Sequence, residues 1–569
     1  MKTYQGIPAS PGVAFGPAFH YEDVSFSVSK QPIEEVETEI ERFDRACSTA
    51  KEELALIQQK AEAETGSEEA EIFQAHSMFL DDPALVGAVR AKVRDEQINA
   101  EWALEQVVGA LSGQLDAMED EYFQARAADV RDVGGRVLRL LLGLEETDLS
   151  SLSQASIVVA RDLTPSDTVR LDKSLVLGFA TAEGGPTSHT AILAKALALP
   201  AVVGAGADLL QVGTEDQLAV DGSRGLVVSE PDEKTAKEFK ALKSEFEAES
   251  QAALKHADEP AMTRDGHQLE VVANVGNLND ARSALDSGAE GIGLLRTEFL
   301  YLDRSTAPNE EEQYQAYKDI LDLMDDRPVV VRTLDVGGDK ELPYLDLGSE
   351  ANPFLGYRAI RMCLDRAEFF KVQLRALLRA SPGHDLRIMF PMIATLDEVR
   401  RARALLDETR GDLEDEGLDV AAEIQIGIMV EIPAVAVLAD QFAREVDFFS
   451  IGTNDLTQYT MAAERTNDRV AYLGDAAHPA VLRQIGKVIE AAHAQGIWVG
   501  LCGELAGDPQ AIPVLLGLGL DEFSMAPASI PRAKVVLRNW SMADAQQLAG
   551  EVLELDSAEA VRERVLAQS

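Results

Sequence analysis

The sequence predicts an α/β multidomain chain: a C-terminal (β/α)8 barrel, a compact α/β unit, and an all-helical bundle inserted into that unit. Three observations lead there. Eight strand-like runs recur between residues 270 and 525, most followed by helical sequence, in a stretch long enough for such a barrel, typically ~250 residues. Apolar residues from Ile33 to Ile57 step by threes and fours, the spacing of one helix face. Gly184–Ile192 sets two glycines, capping-type residues and a histidine directly before an apolar helical run.

Composition narrows the function classes. With 569 residues the chain has room for several cores. Lys and Arg total 52 against 98 Asp and Glu, a net charge of −46. Such a field repels nucleic acid and anionic lipid and suits a basic protein partner. The acid is spread along the whole chain, so adaptation to concentrated salt is expected, where counterions screen the self-repulsion. No run is apolar enough to span a bilayer and no signal peptide is evident. Cys47, Cys363 and Cys502 lie far apart with no CxxC, which points to a reducing, cytoplasmic setting.

Taken in order, residues 1–20 carry Gly6–Gly16, short apolar pieces broken by Gly and Pro that read as strand and turn. From Pro32 the period becomes helical: Ile33, Val36, Ile40, Phe43, Cys47, Ala50, Leu54 and Ile57 form one stripe. Further helices fit Glu68–Leu80, 84–112 and 115–143, together two antiparallel hairpins. Acidic residues from Glu68 to Asp82 form either a docking face or ordinary solvated surface; His76 reads as structural. Strands return at Ser156–Ala160, Ser174–Ala180, Ala201–Val203, Gln217–Val220 and Gly225–Val228. Residues 1–20 are too short to fold alone and complete this sheet. Residues 232–257 read as a charged linker helix. The expected division is 1–20 with 145–230 (α/β unit), 21–144 (helical insertion), 231–260 (linker) and 261–569 (barrel). The barrel strands are predicted at Glu270–Ala273, Gly291–Leu295, Val329–Arg332, Arg387–Pro391, Gln425–Val430, Phe448–Ile451, Trp498–Leu501 and Glu522–Met525.

Reactive side chains sit where these strands end, the catalytic rim of such barrels. Arg296 and Glu298 follow the second strand, Arg332 closes the third, and Glu431 follows the fifth. Asn454 and Asp455 follow the sixth, Cys502 and Glu504 the seventh. Arg296 and Arg332, with Arg358 and Arg465, offer forked donors for carboxylate or phosphate, or each forms an ordinary surface ion pair. Glu431 and Asp455 are hard oxygen donors suited to Mg2+ or Mn2+ with waters and substrate oxygens, or a pair held by the arginines alone. Cys502 lies among acidic neighbours, which keep a thiol protonated. It is either a proton donor to a carbanion or a buried inert cysteine. His189, at a helix N-terminus, sits where backbone N–H groups favour an anion. It is either a phosphoryl acceptor or an incidental residue of a capping loop.

Gly184–Ile192 and Asp447–Tyr459 resemble the phosphohistidine and barrel signatures of the phosphoenolpyruvate-utilising enzymes. Gly6–Gly16, Ala127–Asp132, Arg332–Lys340 and Cys502–Pro509 also match, in order, over essentially the whole chain. The resemblance is to the branch that phosphorylates a carrier protein of the sugar phosphotransferase system. It implies a swivelling α/β phosphohistidine domain and a barrel that binds phosphoenolpyruvate and dimerises. It further implies an insertion that docks the phosphocarrier HPr, with Mg2+ (or Mn2+) as cofactor. His189 would be the nucleophile and Cys502 the proton donor. Arg296, Arg332, Asn454, Asp455 and Arg465 would bind substrate, Glu431 and Asp455 the metal, with Thr168 and Arg358 in support. Dikinases and synthases of the family also need a large nucleotide-binding domain ahead of the phosphohistidine. The 188 residues before His189 are mostly helical and hold no glycine-rich phosphate loop, which argues against a nucleotide substrate. A phosphorelay sensor would carry the same site, but no sensor domain is evident ahead of Gly6.

Overall fold

The computed structural model describes the chain apart from residues 22–27, 65–75, 78, 81, 117–120, 144–151, 153, 164–170, 172, 186–187, 198, 303, 305, 338–341, 343, 346, 349, 351, 465–469 and 569. It gives backbone alone at 56–64, 83–84, 114–116, 121–128, 173, 189, 192, 196 and 471. It divides into two units, Met1–Glu247 and Ala248–Ser569.

The first unit holds an eight-stranded sheet and a helical bundle. The strands are β1 (Lys2–Gln5), β2 (Ile7–Ser10), β3 (Val13–His20), β4 (Ser156–Ala160), β5 (Val176–Thr181), β6 (Ala201–Val203), β7 (Gln217–Asp221) and β8 (Leu226–Ser229). Their order is β1-β8-β7-β3-β4-β5-β6-β2. The chain therefore leaves the sheet after β3 and returns beside it, with Ala18 opposite Ile157 in parallel register. All five residues of β4 are buried, the pattern of a strand covered on both faces.

Between β3 and β4 lie helices α1 (Val36–Glu64), α2 (Ala88–Glu96), α3 (Ala100–Asp116) and α4 (Glu121–Leu142). Most of the predicted stripe is their core: Ile40, Phe43, Cys47, Ala50 and Leu54 pack with Val89, Val93, Leu104, Val133 and Val137, Ile33 and Val36 pack partly buried against them, and the Ile57 side chain lies outside what is described. The stretch predicted as one helix over 84–112 is two. Gln97 turns left-handed (φ 51°) and ends α2. The Asn99 side chain is drawn to the Gln31 N–H at 2.9 Å and to Glu101 at 3.0 Å, a tertiary capture that no local propensity signals. The predicted strand at Ser174 begins two residues later, after a 3-10 turn at Lys173–Leu175. Most of the helix predicted at Glu68–Leu80 falls outside the described residues. His76 is buried, with Nε2 3.1 Å from Asp129 and Nδ1 3.4 Å from Asp132, two acids of the Ala127–Asp132 motif.

Helix α5 (His189–Ala196) follows the glycine turn and packs on β2, β5 and β6. Helix α6 (Glu233–Lys255) runs across the division between the units.

The second unit is a closed barrel of eight parallel strands: β9 (Glu270–Val275), β10 (Ile292–Leu295), β11 (Val329–Arg332), β12 (Leu386–Phe390), β13 (Gln425–Val430), β14 (Phe448–Ile451), β15 (Trp498–Leu501) and β16 (Glu522–Met525). All eight fall on the predicted runs. Leu294, Val330, Met389, Met429, Phe448 and Cys502 share one buried cluster. Trp498 stacks on Phe448 with centroids 4.5 Å apart. The chain closes with helices Ile530–Asn539, Met542–Val552 and Ala558–Leu566.

Candidate active site

The C-terminal ends of the barrel strands bring most of the predicted residues together. Arg332, the last residue of β11, is nine-tenths buried. Its Nη2 donates to Glu298 Oε1 at 2.9 Å and its Nη1 lies 3.1 Å from Asp335 Oδ2. Burial works against the guanidinium charge, yet Glu298, Asp335 and Glu431 hold its pKa above the ordinary arginine value. Arg358 donates to Asp335 Oδ1 at 2.8 Å; Asp335 and Asp455 outweigh its burial in the same way. Two arginines thus share one aspartate. The Arg332 Nε and the Arg358 Nε and Nη1 are buried with no hydrogen-bond partner among the described residues. Arg296 stands exposed at the mouth, following the second barrel strand. Neighbouring cations with unused donors fit an anion between them.

A second tier supports this group. Thr297 Oγ1 donates to the Arg332 carbonyl at 3.0 Å. Gln373 donates to Thr297 Oγ1 at 3.2 Å and accepts from the Leu334 N–H at 3.0 Å. Strand ends that carry charge are thereby tied to the helices outside them. The role of Asp335 was not drawn from the sequence, although an acid three residues after Arg332 within Arg332–Lys340 is its signal.

Glu431 is wholly buried, with Oε1 accepting from the Met392 N–H at 2.6 Å. Burial, then Asp455 and Asp335, raise its pKa. Asp455 lies in the first turn of helix Thr453–Met461, next to Asn454. Glu431 Oε2 and Asp455 Oδ1 are buried atoms without a hydrogen-bond partner among the described residues. Two hard, unpaired oxygens are donors of the type that suits Mg2+ or Mn2+. No group of three His, Cys, Asp or Glu forms a metal cage among the described residues.

Cys502 is buried, with Sγ 3.8 Å from the Ile451 carbonyl. Burial pushes its thiol up to about 11 against the opposing pull of Ser450 and Arg332. The protonated thiol therefore persists throughout the neutral range. The loop after it interlocks with the sixth strand end: Asn454 Oδ1 accepts from the Glu504 N–H at 3.2 Å. A Cβ on Gly503 would collide with Thr453 Oγ1, so only glycine lets the two loops meet.

In the α/β unit, Gly184 has φ +95°, the turn the motif anticipates. Ser188 caps α5, accepting from the Ala191 N–H at 3.4 Å. His189 is the first helical residue. The side chain of the following residue, Thr190, was not singled out by the sequence. Its Oγ1 donates to Asp162 Oδ1 at 2.9 Å and accepts from the Leu163 N–H at 3.2 Å. Thr168 and Arg465 lie outside the described residues.

A closed parallel barrel whose rim holds buried arginines, paired acids and a protonated thiol defines an enzyme for a small, highly anionic substrate. Here it shares a chain with a histidine-bearing α/β unit. Three family models match: "PEP-utilising enzyme, N-terminal" at residues 5–126, "PEP-utilising enzyme, mobile domain" at 152–225, and "PEP-utilising enzyme, PEP-binding domain" at 250–542. Proteins named phosphoenolpyruvate-protein phosphotransferase are similar over the full length. That of Bacillus sp. (strain S) is 50% identical across 98% of this chain and 97% of its own. The Geobacillus stearothermophilus protein is 50% identical over the same shares. That of Bacillus subtilis (strain 168) is 48% identical across 99% and 98%. The chain belongs to the phosphoenolpyruvate–protein phosphotransferase family of phosphoenolpyruvate-utilising enzymes.

Proposed function

We propose that the chain transfers the phosphoryl group of phosphoenolpyruvate to its own His189 and then to a histidine of the phosphocarrier HPr, releasing pyruvate. This is the first step of the phosphoenolpyruvate-dependent sugar phosphotransferase system. The rim cluster carries the reading: Arg332 and Arg358 with unused donors beside two unpaired acid oxygens, in a segment matched by a PEP-binding domain. In the first half-reaction His189 Nε2 forms a bond to phosphorus as the bond to the enolate oxygen breaks. The electron pair stays with the enolate, whose C3 then takes a proton from the Cys502 thiol. A thiol held protonated to about pH 11 is suited to that role. Arg296, Arg332, Asn454, Asp455 and Arg465 bind the phosphate and carboxylate, with Arg358 fixed through Asp335. Thr168 orients the histidine. Mg2+, or Mn2+ in its place, would be held by Glu431 and Asp455 and would neutralise charge on the transferring group.

The helical unit presents its acidic face to HPr, and α6 tethers the α/β unit as it moves between barrel and partner. The barrel pairs two copies in a homodimer. No helix among the described residues is long and apolar enough to cross a membrane, in keeping with a cytoplasmic enzyme. The net charge of −46 fits a halophilic host.

Labelling with radioactive phosphoenolpyruvate and Mg2+ in concentrated KCl tests the scheme. Acid-labile, base-stable label on wild type but not on His189→Ala, chased off by pyruvate or HPr, is expected. Label persisting on His189→Ala would assign the nucleophile elsewhere.

A further inference from the structure

The motif Cys502–Pro509 carries, next to its last residue, Asp508, which the chemistry above leaves without a task. Its partner comes from the last helix of the chain, Ala558–Leu566. Arg562 Nη1 donates to Asp508 Oδ2 at 2.7 Å and to Gln510 Oε1 at 3.3 Å. The same guanidinium grips Asp475 with its other edge, Nε to Oδ2 at 2.7 Å and Nη2 to Oδ1 at 2.9 Å. Asp475 lies on the segment joining helix Thr453–Met461 to helix Pro479–Gln495, downstream of the sixth strand. Asp508 lies downstream of the seventh. One planar fork thus bridges the segment that follows helix Thr453–Met461, whose first turn carries Asn454 and Asp455, and the segment after the seventh strand, which begins at Cys502 and Glu504.

Each acid is also built into its own loop. Asp475 Oδ1 accepts from the Ala477 N–H at 2.9 Å, and Asp508 Oδ1 from the Gln510 N–H at 2.9 Å. The helix that supplies Arg562 is anchored by Val561 and Val565, buried in the same core as Ala477, Leu482, Ala511 and Val514. At the mouth the loops meet again through Asn454 and the Glu504 N–H. The seventh loop is therefore held at two points.

We propose that Arg562 is a positioning residue for the phosphoenolpyruvate half-reaction, clamping the sixth and seventh loops so that Cys502 stands in register with the substrate held beside Asn454 and Asp455. The proposal rests on the function given above. Side chains of both aspartates and of Arg562 are about a third exposed or less, so the clamp acts through geometry rather than through a large share of stability. A shape-matched bidentate fork makes Lys an incomplete substitute.

The test is single-turnover phosphorylation of the full-length chain by phosphoenolpyruvate and Mg2+, measured beside transfer from the preformed phosphoenzyme to HPr. Arg562→Met is expected to slow the first reaction about ten-fold or more at saturating substrate, with apparent affinity within about three-fold. The second reaction should stay at the wild-type rate. Arg562→Lys should recover part of the loss. Asp508→Asn should slow the same step, and the double variant should be no slower than Arg562→Met alone. A folded Arg562→Met that matches wild type, or one that loses both half-reactions equally, would overturn the proposal. Should Arg562→Met fail to fold, Asp508→Asn, which keeps the Asp475 pair, decides the matter by the same two rates. Wild type that takes no label would instead overturn the function itself.

Discussion

A single buried carboxyl shows what the barrel tolerates away from its rim. Glu522 opens β16 with both oxygens buried and without hydrogen-bond partners among the described residues. Burial and then Glu270 push it up to about 8 from an ordinary 4.5, against the pull of Arg387, with Asp521 adding to the rise. The folded state therefore keeps a proton that the unfolded chain gives up, and stability falls as pH rises from about 4.5 to about 8. Glu522→Gln, which mimics the protonated form, is expected to unfold at the wild-type midpoint near pH 4.5 and at a higher one at pH 8. Urea melts of the metal-free protein across that range check this; equal midpoints at pH 8 would refute it. At the rim, Glu431 is raised in the same direction by burial and then by Asp455 and Asp335, but there Arg332 and the Met392 N–H pull the other way.

At the scale of the element, α5 is short, and eight residues do not hold a helix in water by themselves. Its first turn is fixed from outside by Thr190 on Asp162, two residues beyond the end of β4. Thr190→Val should cost about 1–3 kcal/mol in the α/β unit and slow phosphorylation of the adjacent histidine about ten-fold. Thr190→Ser should restore both, as read by thermal melts and by label uptake. Unchanged uptake in a destabilised Thr190→Val would leave the latch a purely structural one. The barrel strands were legible because each is a short β-branched or apolar run between helices, and period alone separates the two. The break at Gln97 was not, because Asn99 answers to Gln31, which is distant in sequence. The same limit applies at the rim. Arg332, Arg358, Glu431 and Cys502 announce themselves at strand ends or in motifs. Asp335, Gln373 and Arg562 acquire meaning only once the fold sets them beside those residues.

For the molecule as a whole, the charge of −46 is the dominant long-range term. Raising KCl from about 0.1 M to about 2 M shortens the screening length from ~10 Å to under ~3 Å, so the first thermal transition should rise by more than about 5 °C. A midpoint indifferent to salt would remove the case for halophilic adaptation. The order of the first sheet bears on how such a chain is made. Strand β3 pairs with β4, yet His20 and Ser156 are separated by 135 residues, within which the helical insertion lies. At ~5–20 residues per second on the ribosome, β3 waits on the order of ten seconds for its parallel neighbour β4. In that interval the bundle can complete its own core. The insertion is thus able to finish before its host, whose sheet is complete only once β4 to β8 have emerged.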